Sequence, residues 1–161
     1  MKTVYLFRHS TKATAGDMPL SQEGIEFALK VGRERLFGKG FTHLFVSPLS
    51  RSINTMKAIS EGAGDFPEAE PEIFPPHSVS ATPDGMVLWE GVCHEAEIAN
   101  EDMMLAALQR DSDRAKRIAR ESAYAFKQWI QSIPDDSCVL VIHHSPFLEL
   151  IAYGLFEKIL P

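Results

Sequence analysis

Three short apolar runs show no alternation of polar and apolar positions: Thr3-Val4-Tyr5-Leu6-Phe7, Leu44-Phe45-Val46 and Cys138-Val139-Leu140-Val141-Ile142. Continuous β-branched and aromatic runs of this kind predict strands buried on both faces of a parallel sheet. Between the first two, Ile25, Ala28, Leu29, Gly32 and Leu36 recur at helical spacing, so a helix is expected over 21–36 with the Ser21 hydroxyl as its N-cap. Strand, helix, strand defines a βαβ unit. A second helix is expected after Arg51, with Ile53, Met56 and Ile59 on one face and Gly62-Ala63-Gly64 as its stop.

From 65 to about 85 the chain holds Pro67, Pro71, Pro75, Pro76 and Pro83. Prolines at this density exclude a long helix and allow at most a short edge strand, so the segment reads as a long loop that covers a site or selects a substrate. A short helix is expected over 95–108. The clearest helix is 111–133, where Ala115, Ile118, Ala119, Ser122, Phe126, Trp129, Ile130 and Ile133 form a stripe opposite Arg114, Lys116, Arg117, Arg120 and Lys127. Its basic side reads as a solvated face. Ser145-Pro146 then reads as an N-cap followed by proline in the first helical position, opening a final helix through Leu148, Ile151, Ala152, Leu155 and Ile159. No repeat or low-complexity segment interrupts the pattern. The expectation is one α/β domain over 1–161, with a largely parallel central sheet between helices in three layers.

Composition narrows the function more than the fold. Sixteen Lys and Arg against twenty-two Asp and Glu leave a formal charge of −6 on 161 residues, which argues against a nucleic-acid or anionic-membrane binder. Any basic site must be local. Cys93 and Cys138 stand apart, without the spacing of a zinc ribbon or a disulfide scaffold, and the Cys93-His94 pair has no second ligand at metal-binding spacing. No apolar stretch approaches the roughly 18 residues of a membrane span. A cytoplasmic protein with reduced thiols and no metal is expected.

Candidate chemistry gathers where the apolar runs stop. Arg8-His9 follows the first, Ser47-Pro48-Leu49-Ser50-Arg51 the second and His143-His144-Ser145-Pro146 the third. In open α/β sheets ligands bind outside the carboxyl ends of the strands, so these residues can converge on one substrate. Two arginines offer planar, paired donors that match a phosphate edge. A neutral His9 can attack phosphorus through one ring nitrogen while the other is held by a backbone carbonyl. His144 adds a donor, and the Ser10 hydroxyl is a further candidate. If the strand pleat persists, His143 faces away from His144 and packs under a helix.

Arg8-His9, Leu20-Ser21-Gln22-Glu23-Gly24, Ser47-Pro48-Leu49-Ser50-Arg51 followed by Thr55, and His144 after Val139-Leu140-Val141-Ile142 resemble the histidine phosphatase, or phosphoglycerate mutase-like, superfamily. The order and approximate spacing match over nearly the whole chain. The resemblance implies a phosphoglycerate mutase-like three-layer fold and a metal-independent phosphatase in which His9 is phosphorylated while Arg8, Arg51 and His144 hold the phosphate. Ser10 stands where the family has glycine, and the register before Ser145-Pro146 selects His144 over His143. For the general acid Glu72, Asp84, Glu90, Glu95 and His77 compete. Trp89-Glu90-Gly91 resembles a turn that follows the family's acid, and Pro83 beside Asp84 occupies the earlier place.

A missing acid favours a labile P–N bond, and short length points the same way, so the nearest type is the small protein-phosphohistidine phosphatase. The partner expected is a phosphorylated protein. A small metabolite or sugar phosphate is the alternative substrate, and a catalytically silent phosphate-binding relative is the alternative class. Neither nucleic acid nor membrane is expected as a partner. An open sheet edge, expected because family members add further strands, would allow a homodimer.

Overall fold

The computed structural model describes residues 1–13, 19–64, 70–76 and 82–157. The chain forms two compact units, each discontinuous in sequence: Met1–Phe74 with Ile133–His144, and Pro75–Ser132 with Ser145–Pro161.

Among the described residues the first unit holds four strands, β1 (Thr3–Arg8), β2 (His43–Val46), β3 (Glu72–Ile73) and β4 (Cys138–His143), and two α-helices, α1 (Gln22–Val31) and α2 (Ser50–Ala63). The sheet order is β1-β4-β2-β3, and every pairing is parallel. Strand β4, with neighbours on both sides, is buried on both faces, with Val139 through Ile142 at 0% exposure. The expectation of double burial fails for β1. Among the described residues it pairs only with β4, and Thr3, Leu6 and Arg8 are exposed. An unalternating apolar run reports β propensity and does not report place in the sheet, which is why the sequence read an edge strand as a central one.

Helix α1 begins as expected, with the Ser21 hydroxyl accepting the Gly24 N–H, but it is shorter than 21–36. Gly32–Leu36 widens into a π-helical turn. At the crossing with α2 a Cβ on Gly32 would sit 2.3 Å from the Ile59 carbonyl oxygen, and one on Gly62 would sit 2.2 Å from that of Leu29. Each glycine lets the other helix's backbone approach closely. Ala28, Val31, Leu36, Met56 and Ile59 then pack with Leu44, Val46, Leu140 and Ile142 into one core, whereas Ile25, placed by periodicity on the same stripe, lies at its rim and is 36% exposed. Gly64 ends α2 in the left-handed region, φ 71°.

The proline-rich segment yields the short edge strand β3; its residues 65–69 and 77–81 lie outside the described residues. Its last proline opens a helix and does not belong to the loop.

The second unit contains α3 (Pro83–Leu88), a π-helical turn (Trp89–Cys93), α4 (His94–Ile98), α5 (Met103–Arg110), α6 (Ser112–Ser132) and α7 (Phe147–Phe156). Thr82 caps α3 through the Gly85 N–H, with Pro83 in the first turn. The single helix expected over 95–108 is two. Asn100 takes a positive φ of 55°, and Asp102 caps the restart by accepting from the Leu105 N–H at 2.7 Å. Helix α6 matches its expected span, and its buried side meets α7 where Gly154 leaves no Cβ to strike the Ala119 carbonyl. Ser145 does not cap α7. Pro146 occupies the cap position without a side-chain bond, and the Ser145 hydroxyl is engaged by the Glu149 carboxylate instead. Among the described residues no helix is long and apolar enough to cross a membrane.

Candidate active site

All four residues assigned from the sequence to catalysis lie in the first unit, at the carboxyl end of its sheet. Parallel pairing puts them there. Arg8 is in register with His143, the His9 N–H donates to the His143 carbonyl at 2.8 Å, and the Ser47 N–H donates to Ile142 at 2.9 Å. The ends of β1, β4 and β2 are therefore level. Arg51 arrives on the first turn of α2, whose approach is held by the buried Ser47 hydroxyl donating to that of Ser52 at 2.6 Å.

The His9 ring is fixed at both nitrogens. Nδ1 lies 2.7 Å from the Ser10 carbonyl oxygen, and the Arg51 Nε–H donates to Nε2 at 2.9 Å. A carbonyl only accepts and this guanidinium N–H only donates, so His9 is the neutral tautomer with its proton on Nδ1 and its lone pair on Nε2. Its pKa is lowered to about 4, chiefly by burial, against the Ser10 carbonyl, which favours protonation; Arg51, Arg8 and Lys12 add repulsion. The imidazole is thus uncharged near neutral pH, with Nε2 facing the Arg51 guanidinium. Arg8 is exposed and has no ion pair among the described residues.

Two side chains are placed differently from expectation. The Ser10 hydroxyl does not stand ready for phosphate; it donates to the Gly24 carbonyl at 2.7 Å. His143 does not turn away from His144. Strand β4 ends at His143, so the pleat stops there, and the two rings stack with centroids 4.4 Å apart at 21°. His143 is 1% exposed, His144 7%, and Phe74 meets His143 edge-on at 5.6 Å.

Thr55 carries a role that its motif position did not reveal. Its hydroxyl donates to the Arg51 carbonyl at 2.8 Å and accepts the Ser10 N–H at 3.0 Å. The spacing of four residues from Arg51 on a helix was the signal available, since it puts both on one face.

No candidate acid is singled out. Glu72, on β3, is exposed. In the second unit Asp84 is held by Arg117 at 2.6 Å and Arg114 at 3.9 Å, Glu95 lies 3.5 Å from Arg110, and Glu90 is exposed. His77 lies outside the described residues. Cys93 is buried and its thiol pushed up to about 12 by burial, with Glu149 adding to the shift. Exposed His94 faces Trp89. Among the described residues no three His, Cys, Asp or Glu gather to hold a metal ion.

Parallel strand ends thus bring a histidine clamped by Arg51 to the carboxyl edge of the sheet. The sequence profile of the histidine phosphatase superfamily (branch 1) matches residues 4–75, the stretch carrying Arg8, His9, Arg51 and Thr55. Over that stretch the chain is similar to the superfamily. No curated protein matches it in sequence. Solved structures share its fold. A phosphoglycerate mutase from Bacillus anthracis is 16% identical, with 96% of this chain and 79% of that one covered at a TM-score of 0.58. A mycobacterial glucosyl-3-phosphoglycerate phosphatase is 15% identical, covering 97% and 79% at 0.56. A phosphoserine phosphatase from Entamoeba histolytica is 18% identical, covering 99% and 82% at 0.52. These likenesses establish a phosphoglycerate mutase-like α/β fold.

Proposed function

We propose that the protein is a metal-independent phosphatase acting through a covalent phosphohistidine at His9, and that its substrate is phosphohistidine carried on a cytoplasmic protein. The observation behind the first part is the His9 tautomer, with Nδ1 bound to the Ser10 carbonyl and Nε2 bearing the lone pair. In the first step Nε2 attacks phosphorus, the bond from phosphorus to the leaving group breaks, and Arg51, Arg8 and His144 take the equatorial oxygens. The Ser10 carbonyl stabilises the cationic imidazole that results. In the second step water attacks the phosphoryl group, the N–P bond breaks and its electron pair returns to Nε2. The water's proton leaves to solvent, and inorganic phosphate departs.

The second part rests on the acid. Pro83 stands where the resemblance would place it, and the adjoining Asp84 carboxylate is paired with Arg117 and Arg114. An alkoxide leaving group needs a strong proton donor. An imidazole, with an ordinary pKa of about 6.5, leaves readily with a proton from solvent. The structures similar in fold are named for phosphoserine and glucosyl-3-phosphoglycerate, which keeps a small phosphate ester as the competing substrate.

The test is hydrolysis of an activated aryl phosphate in excess EDTA by wild type and His9→Ala, with quenched enzyme assayed for acid-labile phosphate. Turnover that needs His9 and survives chelation is expected. Rates on a phosphohistidine protein are then compared with those on phosphoserine and phosphoglycerate. Faster ester hydrolysis would reverse the substrate assignment, and vanadate binding without turnover would make the protein a silent relative.

A further inference from the structure

We propose that Ser10 and Thr55 are positioning residues for His9, closing with Arg51 a ring of hydrogen bonds that holds the imidazole in one tautomer and one orientation. The proposal builds on the phosphohistidine reading, since it concerns how the attacking nitrogen is aimed.

The ring can be followed bond by bond. The Arg51 Nε–H donates to His9 Nε2 at 2.9 Å, and the His9 Nδ1–H donates to the Ser10 carbonyl at 2.7 Å. The Ser10 N–H donates to the Thr55 hydroxyl at 3.0 Å, and that hydroxyl donates to the Arg51 carbonyl at 2.8 Å. Donors and acceptors alternate without conflict. Because the Thr55 hydroxyl has one proton and gives it to Arg51, its lone pair is what Ser10 meets. Thr55 is 1% exposed, so no water replaces it without rearrangement. The peptide groups flanking Ser10 are thereby tied at one end to the imidazole and at the other to the helix that carries Arg51.

Ser10 adds a second anchor that glycine could not. Its hydroxyl donates to the Gly24 carbonyl at 2.7 Å. That carbonyl is within reach because the first turn of α1 lies on the chain just after His9. A Cβ on Gly24 would fall 2.2 Å from the Thr11 carbonyl oxygen, and that oxygen accepts the Ser21 N–H at 3.0 Å. Serine is also less free than glycine in the unfolded chain, so the ordered turn loses less entropy on folding. The serine thus stiffens the carbonyl that selects the His9 tautomer.

Ring-nitrogen NMR of 15N-histidine-labelled protein near neutral pH tests this. Wild type is compared with Ser10→Gly, Ser10→Ala, Thr55→Val and Thr55→Ser. Wild-type His9 is expected to show a protonated Nδ1 and an unprotonated Nε2. In T55V, which removes the acceptor of the Ser10 N–H, both shifts move toward the average of exchanging tautomers; in S10G and S10A, which keep the ring bonds but lose the hydroxyl anchor on Gly24, they move part of the way, while T55S, which keeps the hydroxyl, retains the wild-type pattern. On an aryl phosphate kcat falls about tenfold in S10A and T55V with little change in KM, as expected for misaimed groups.

Wild-type ring shifts persisting in S10G and T55V would overturn the proposal, as would a wild-type His9 protonated at Nε2. S10G tests the serine anchor should S10A fail to fold, and Thr55→Ala, which also removes the hydroxyl, takes the place of T55V should that variant fail to fold. Wild type that shows the single tautomer, loses it in T55V and turns over no phosphate would sink the phosphatase reading while the ring stands.

Discussion

Burial outweighs hydrogen bonding at His9, and three nearby cations push in the same direction as burial. The folded ring therefore releases its proton near pH 4, whereas an unfolded histidine does so near about 6.5. Between those values the unfolded chain binds the extra proton, so His9 contributes stability that is fully present above the upper value and declines as pH falls through the window. A ring titration by NMR should show a midpoint near 4. The acidic limb of kcat/KM attributable to the free enzyme should lie with it, well below that of an ordinary histidine.

Arg51→Lys should lower kcat/KM about a hundredfold or more, because an ammonium cannot supply the directed Nε–H together with paired phosphate donors. Steady-state kinetics on the aryl phosphate reads this. Cysteine chemistry separates equally clearly. Cys93, buried and with its thiol pushed up to about 12, should be inert to a thiol reagent in native protein, while the partly exposed Cys138 reacts. Counting thiols before and after denaturation checks the difference.

Close helix crossings rest on glycine. Gly62→Ala would drive a methyl to 2.2 Å from the Leu29 carbonyl, and Gly154→Ala one to 2.1 Å from that of Ala119. Each should cost about 1–3 kcal/mol through forced backbone shifts, visible as a lower denaturation midpoint. Both are backbone-against-backbone contacts, invisible in a hydrophobic pattern; Gly62 read only as part of a stop signal. The strands and most helices were legible because each buries a stripe of its own periodicity. The π-helical turns and the break between α4 and α5 were not, since they answer to packing and to a positive φ at Asn100.

Against an overall charge of −6, the end of the sheet that carries Arg8 and Arg51 is a local concentration of positive charge. The protein should show no measurable binding to duplex DNA at about 150 mM salt, where exposed charges beyond about 8 Å are screened, yet inorganic phosphate should raise its denaturation midpoint. Fluorescence anisotropy and thermal melts measure the two. The outer edge of β1 bears no partner strand among the described residues, and Leu6 on it is 37% exposed. Edge pairing between copies is the expected route to a dimer. Sedimentation should then show concentration-dependent mass that Leu6→Lys abolishes.

The placement of Arg8, His9, Arg51 and His144 at the carboxyl end of the sheet could be read along the chain because strand ends follow apolar runs that local propensity makes recognisable. Which nitrogen of His9 bears the proton, where the Ser10 hydroxyl goes, that Thr55 links helix to turn and that His143 stacks on His144 depend on distances between residues remote in sequence. Those distances are set by sheet register and by the closeness of glycine crossings, quantities that arise only when the elements pack together.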